Sequence, residues 1–442
     1  MTTIPESEHT PYIYPDQFAR IVLDAWKTRA GLQPYEKSVP AADTPLHEDS
    51  LREVLSTCFQ SSLLREEERA ITFRLFLGKP DVLPQDGGPP LGVQVLPFAS
   101  PREFNPGEIR RLSPAVDFHR AMIGASCSEG RLTIWGLIYT GPGWIREIHG
   151  GRDFQVDLPP QMIIHTRGPG NLAVYCGNDV IATLHEGEVE LGDVDVFRSR
   201  WFRTHFSDVR EEVMALHLAA RESASGPWAT IDPNFVRMLA QHVLRRAVST
   251  ICSQKHGATL LFLPPDPEHD GSLTIKYPFV RSAGRGRFRS VMVEVMNTLA
   301  ELHSADTERM VGWKTYSESP HPVITQLDDA IFEVGHLFAG LSAVDGALVL
   351  TRRFEVHGFG AEISHLLPPV HHVCRALDIE ANRVAPDQAD RFGTRHRSVF
   401  RLCERYPDVL AIVISQDGHV RFVRHFPQHG VVYFDHRMLS AT

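Results

Sequence analysis

Two periodicities divide the chain. After a polar start, Phe18, Ile21, Val22 and Ala25 recur at helical spacing behind Pro15-Asp16, which predicts a helix. Residues 31–48, rich in Pro, Ala and Asp, read as a connecting loop. Leu51 to Leu64 reads as a helix and Glu66 to Leu77 as helix or strand, with Glu66-Glu67-Glu68 as a solvated helix face. Pro80 to Pro90, which contains Gln85-Asp86-Gly87-Gly88, is a break. From about 91 to 200 the apolar spacing shortens to two. Short strands are predicted at Val93–Leu96, Arg131–Tyr139, Met162–His165 and Leu172–Tyr175, separated by Gly141-Pro142-Gly143, Gly168-Pro169-Gly170-Asn171 and Gly177-Asn178-Asp179. The last turn, followed by Val180-Ile181-Ala182-Thr183, reads as a hairpin. Trp135, Tyr139 and Trp144 are either core aromatics or the lining of a ligand pocket.

The period then returns to that of a helix, with Val209, Val213, Leu216 and Ala220 on one face of 207–222. Ser223-Ala224-Ser225-Gly226-Pro227 is the expected domain boundary. Asp232-Pro233 opens an amphipathic helix through Phe235, Leu239, Val243, Ala247 and Ile251, and Gly257 separates it from the apolar strand Ala258–Leu263. Further helices are predicted at Ser290–Leu302 and Val323–Leu341, a strand at Ala347–Leu350, another at Val356–Ile363, and a short helix at Ser398–Arg405. The last clear strand is Val409–Ile414. The pattern therefore predicts an α/β chain: a C-terminal mixed sheet flanked by helices over 228–442, preceded by an α+β, β-rich domain over 1–225 that is helical in 1–80 and β-rich in 91–205.

Composition narrows this little. A length of 442 residues fits two or three domains, and 43% hydrophobic with 22% charged residues is ordinary for a globular protein. A net charge of −9 argues against a nucleic-acid coat or a binder of anionic membranes. Six scattered cysteines without a Cys-x-x-Cys pair read as reduced thiols of a cytoplasmic protein. No signal peptide is visible and no stretch reaches about 18 apolar residues, so no membrane span is expected.

The candidate chemistry sits late in the chain. Asp345-Gly346-Ala347 places one carboxylate beside two residues with almost no side chain, so a ligand can approach the backbone closely. Gly393-Thr394-Arg395-His396-Arg397 packs two guanidiniums and an imidazole together, a set suited to a triphosphate. Taken singly, the second motif also reads as a solvated basic turn and the first as an ordinary turn. Arg281, Arg285, Arg287 and Arg289 form a basic stretch without the Gly-Lys-Ser/Thr ending of a P-loop, and His371-His372 read as structural.

Together and in this order the two motifs resemble the signature of the diadenylate cyclase domain, and the helix, Gly-Ala and apolar strand at 235–263 are similar to that domain's entry. The resemblance spans about 230–442 and implies condensation of two ATP into cyclic di-AMP with release of two pyrophosphates. It implies catalytic roles for Asp345, Arg395, His396 and Arg397, and ATP contacts from Gly346, Ala347, Thr394 and Ser415. Asp417 would bind Mg²⁺ or Mn²⁺. It further implies a homodimer or higher oligomer with facing active sites, and an N-terminal sensor module whose ligand the sequence does not name. Three features depart from the family pattern. Ser342-Ala343-Val344 replaces a Pro-Leu-His, Ser415-Gln416-Asp417 replaces a Ser-Glu-Glu, and the spacings before Asp345 and before Thr394 are long. A catalytically silent sensor that binds ATP or a dinucleotide is the alternative. A nucleic-acid-binding regulator is disfavoured by the acidic charge.

Overall fold

Strands that carry apolar residues on both faces must be covered on both sides, and the two sheets of this chain meet that demand. The structure is a computed structural model. It describes residues 12–30, 47–84, 87–89, 92–141, 150, 152, 158–185, 187–191, 195–254, 256–265, 271–280, 286–305, 310–416 and 419–436. The chain is mixed α/β and divides into two units, Met1–Ile145 with Phe154–Asp193, and Arg146–Asp153 with Val194–Thr442. Most of the 31–48 loop, Trp144, the basic positions 281–285 and Asp417 lie outside the described residues.

In the N-terminal unit two helices, α1 (Pro15–Ala30) and α2 (Glu48–Ser62), precede β1 (Phe73–Leu77), β2 (Gln94–Glu103), α3 (Pro106–Leu112), β3 (Ala121–Ser128) and β4 (Arg131–Tyr139). The meander β5 (Met162–Gly168), β6 (Asn171–Cys176), β7 (Asp179–His185) and β8 (Glu188–Leu191) completes a sheet ordered β8-β7-β6-β5-β1-β3-β4-β2. Phe18, Val22, Leu51, Val54 and Leu55 of the helices bury one face with Phe73, Leu75 and Ile123. Phe76, Met122, Trp135 and Tyr175 form the core on the other face. Trp135 belongs to that core: its ring lies against Gly124 and its indole N–H donates to the Gly78 carbonyl at 2.8 Å. Tyr139 packs, half-buried, against the helix-side core. The β6–β7 hairpin matches the sequence expectation, with Gly177 at a φ of +57°. The glutamate run does not. Glu67 and Glu68 have positive φ and form the turn of a small hairpin pairing Arg65–Glu66 with Arg69–Ala70, where helical i,i+4 bonding is broken.

The C-terminal unit begins with α4 (Arg200–His205), α5 (Ser207–Glu222) and α6 (Phe235–Ser253). There follow β9 (Ala258–Leu263), β10 (Leu273–Pro278), α7 (Arg287–Leu302), α8 (Trp313–Glu318), α9 (Pro322–Ser342), β11 (Ala347–Thr351) and β12 (Val356–Ile363). Last come β13 (His372–Ala376), β14 (Val384–Gln388), α10 (Thr394–Arg405), β15 (Leu410–Ile414), β16 (Val420–Phe426) and β17 (Gly430–His436). The nine-stranded mixed sheet is ordered β10-β12-β11-β9-β15-β16-β17-β13-β14. Leu261, Val349, Ala411 and Val413 bury one face against Val399, Phe400 and Cys403 of α10. Two strands, β16 and β17, follow the one expected to be last. They hairpin at Gly430, whose φ is +71°.

The division between units falls at Asp193/Val194, upstream of Ser223–Pro227. Long-range aromatic packing sets it there. Trp201 meets Phe434 at 4.9 Å between ring centroids, Phe202 meets Phe422 at 6.0 Å, and Phe206 meets Phe262 at 5.4 Å. Removing three such aromatics costs on the order of 10 kcal/mol, as much as the whole stability of a typical domain. A fragment of residues 195–442 is therefore expected to unfold in one cooperative thermal transition, and a fragment of 228–442 to lack one. The segment around Gly150 is missing from both fragments, so it does not bias the comparison. Equal cooperativity would show that α4 and α5 are dispensable to this core.

Candidate active site at one end of the C-terminal sheet

The sheet register brings the sequence motifs together. Strand β9 runs parallel to β11, with Leu260 opposite Leu348, and antiparallel to β15, with Ala258 opposite Ile414. Carried back three residues along β11, this sets Asp345 level with Gly257. Carried one residue past β15, it sets Ser415 level with Gly257 on the other side. Asp345, Gly257 and Ser415 thus lie just beyond neighbouring strands at the same end of the sheet.

Two glycines make this sheet end possible. Gly346 has a φ of +109°, and a β-carbon there would lie 2.6 Å from the carbonyl carbon of Gly360 in β12. Only glycine lets the chain turn from α9 into β11 with Asp345 exposed at the turn. The Asp345 carboxylate accepts from the Gly346 N–H at 3.1 Å through Oδ1. At Gly257 the reason is close approach: a methyl group would overlap Nη1 of Arg395, which rests on the bare backbone. Ala347, buried, follows Gly346 into the sheet.

Arg395 comes from the first turn of α10, which starts at Thr394, four residues earlier than the spacing predicts. Gly393 is the N-cap and offers no side-chain cap, so the leading N–H groups of this 12-residue helix have no capping side chain. The Arg397 N–H makes the first backbone bond, to Gly393 O at 3.2 Å. Thr394 and Arg395 are exposed and Arg397 is half-buried. Among the described residues neither arginine has an ion-pair partner. A positive helix end and two arginines without partners make an anion-binding edge. Ser415 closes the β15–β16 turn, its hydroxyl accepting from the His419 N–H at 3.2 Å.

His396 points elsewhere. It is buried, and Arg421 Nη1 in β16 donates to its Nε2 at 3.2 Å. Arg421 in turn donates to Asp435 Oδ1 of β17 at 2.7 Å and lies over the rings of Phe392 and Tyr433. Burial, followed by the Arg421 cation, pushes the imidazole down to about 4. It is neutral at pH 7, facing inward, and holds the first turn of α10 to the β16–β17 hairpin. A phosphate-gripping cation at this position does not fit that geometry. Arg421 and Asp435 are the site-supporting residues the sequence reading missed. The signal available was the stripe His396, Phe400, Cys403, which marks the buried face of α10.

Other candidates resolve structurally. Arg289 pairs with Glu212 at 3.3 Å and with Glu355 at 3.2 Å, so it is a tie between elements. Among the described residues no group of three His, Cys, Asp or Glu converges on a metal position, and no helix is long and apolar enough to cross a membrane. The donor set at the sheet end, one exposed carboxylate beside an anion-binding edge, fits a divalent ion held by one or two carboxylates and chiefly by substrate phosphates.

Residues 40–139 match the family model described as a probable sensor domain, DACNV. The match lies wholly within the N-terminal unit and runs from before α2 through β4. No curated protein matches the chain. In the same unit a cleft of about 230 Å³ is lined by Glu66, Glu67, Arg69, Thr72, Asp117 and Phe118.

The neutral, inward His396 has a measurable consequence. Its folded value of about 4 lies below the ordinary 6.5. Its contribution is therefore full above pH 6.5 and is lost as the pH falls toward 4, by about 3 kcal/mol. His396→Gln keeps an acceptor for Arg421 and does not titrate. In denaturant unfolding between pH 7 and pH 4 the natural chain should lose about 3 kcal/mol more than the variant. Parallel losses would contradict the inward, neutral imidazole.

Proposed function

We propose that this protein is a nucleotidyltransferase, a diadenylate cyclase that condenses two ATP into cyclic di-AMP under the control of its N-terminal sensor unit. The observation that carries the reading is the approach of Arg395, at the positive end of α10, to Gly257 at the sheet end where Asp345 precedes β11 and Ser415 follows β15. The sensor match supports it, because that sensor family is usually found with diadenylate cyclase domains.

In this reading Arg395, Arg397 and the first N–H groups of α10 bind the triphosphate, while Asp345 faces the ribose. Gly346 and Ala347 leave room for the nucleoside against the backbone, and Thr394 lies beside it. Each ATP 3′-hydroxyl forms a bond to the α-phosphorus of the other ATP, each pyrophosphate leaves with the electron pair of the broken bond, and two protons are released. Positioning and charge stabilisation supply most of the rate. When bound, Mg²⁺ or Mn²⁺ would offset the phosphate charge, with Asp345 as the described residue able to hold it. His396 positions α10 through Arg421 and Asp435. Each unit binds one ATP, so two copies face each other about a two-fold axis. The sensor unit acts by favouring or opposing that arrangement.

Incubation of the full chain with ATP and Mn²⁺, Mg²⁺ or Co²⁺ is expected to yield cyclic di-AMP. ATP binding without any dinucleotide would favour the silent-sensor reading, which the Ser-Gln-Asp variant at 415–417 motivates. Asp345→Asn is expected to abolish turnover with ATP affinity largely retained, and Arg397→Ala to weaken ATP binding about tenfold or more by loss of a charge-assisted contact. Normal turnover in Asp345→Asn would remove the carboxylate from the mechanism.

A further inference from the structure

A buried hydroxyl stands behind the candidate site without a partner. Thr259, the second residue of β9, is 3% exposed, and among the described residues nothing hydrogen-bonds its Oγ1. Buried hydroxyls in folded proteins are nearly always paired, because an unpaired one gives up its water for nothing. The one polar residue of the run Ala258-Thr259-Leu260-Leu261-Phe262-Leu263 therefore works against the stability of the free chain.

The sheet shows which way this side chain points. Leu261 and Leu263 pack into the core beneath α10, and side chains alternate along a strand, so Thr259 faces the same layer. Its flanking positions agree. Val413 of β15 pairs with Thr259, Ala347 of β11 stands level with it, and both belong to that core. Gly257 is the preceding position on this face, where the Arg395 guanidinium rests on the bare backbone. The hydroxyl thus lies one same-face position behind Arg395, at the positive end of α10. Leu261 and Val413 wall it in with bulk, whereas Gly257 and Ala347 offer no side chain and a single methyl group.

The chemistry of the group selects the part of a ligand that it meets. Phosphates are matched by the guanidiniums and the helix N–H groups at the rim. An uncharged hydroxyl, able both to donate and to accept, matches the uncharged polar groups of a nucleoside. We propose, on the nucleotide reading of this sheet end, that the Thr259 hydroxyl hydrogen-bonds the nucleoside of the bound nucleotide once Arg395 has left Gly257 for the phosphates. The free chain then carries an unpaired group that the ligand satisfies, and a ligand without the matching group leaves it unpaired.

Calorimetric titration of the full chain with ATP tests this, with tripolyphosphate as a control that has no nucleoside. Thr259→Val keeps the side-chain shape and removes the hydroxyl. It should bind ATP about tenfold more weakly than the natural chain and tripolyphosphate equally well, while its melting temperature without ligand equals or exceeds that of the natural chain. Thr259→Ser keeps the hydroxyl and should restore most of the ATP affinity. 2′,3′-Dideoxy-ATP, which lacks both ribose hydroxyls, separates the two sources of the contact: a tenfold difference that persists assigns it to the base, and one that disappears assigns it to the ribose. Unchanged ATP affinity in Thr259→Val, or an equal loss for tripolyphosphate, would overturn the proposal and leave the phosphate site standing. A lower melting temperature in Thr259→Val would overturn it too, because the hydroxyl would then be satisfied within the free chain. Absence of ATP binding by the natural chain would instead remove the nucleotide reading on which the proposal rests.

Discussion

The contact between the Arg395 guanidinium and the bare backbone of Gly257 is the constraint on which the candidate site depends. Gly257 lies where β9 begins, between the start of β11 and the end of β15. A side chain there would displace the Arg395 guanidinium from the sheet end. The docking of α10 is fixed by its buried face, Val399, Phe400 and Cys403, and by His396, next to Arg395 in the first turn and anchored from below by Arg421. One residue reaches out over the sheet edge and its neighbour reaches in, so His396 holds the helix end to the β16–β17 hairpin while Arg395 stays exposed.

The energetics favour a rigid arrangement. Arg421 is enclosed by Phe392 and Tyr433 and paired with Asp435, so the charge beneath His396 is compensated locally. Breaking a partly buried pair of this kind leaves a charge without its partner, which costs more than the pair itself contributes. The exposed Arg395 and Asp345 lack such ties, and their charges are available for a ligand. Rigid support below and open charge above is the division a phosphate site requires, since it lowers the ordering cost on binding.

Much of this was legible in the sequence because it was local. The helix before Gly257, the apolar run Ala258–Leu263, the helix ending at Ser342 and the strand from Ala347 all follow from period and punctuation. That Asp345 and Arg395 share one sheet end was legible only through a family resemblance, since no local pattern encodes β9 pairing with both β11 and β15. The orientation of His396 was misjudged because adjacent positions on a helix turn lie about 100° apart. Grouping Arg395, His396 and Arg397 by adjacency ignores that rotation. The division into compact units falls elsewhere than the turn signal for a related reason. Ser223–Pro227 is a genuine turn signal, but Trp201, Phe202 and Phe206 commit the preceding helices to a sheet completed more than 200 residues later. Strands β16 and β17 were overlooked although Val420, Phe422 and Phe426 and then Val432 and Phe434 recur at even spacing around a glycine turn.

The proposed nucleotide site is the sheet end that Asp345, Gly257 and Ser415 share with Arg395. A crystal structure with a non-hydrolysable ATP analogue tests it most directly. The account predicts phosphate oxygens within hydrogen-bond distance of Arg395 and Arg397 at the start of α10, the ribose beside Asp345, and His396 still on Arg421. An analogue bound elsewhere, with Arg395 unmoved on Gly257, would contradict it.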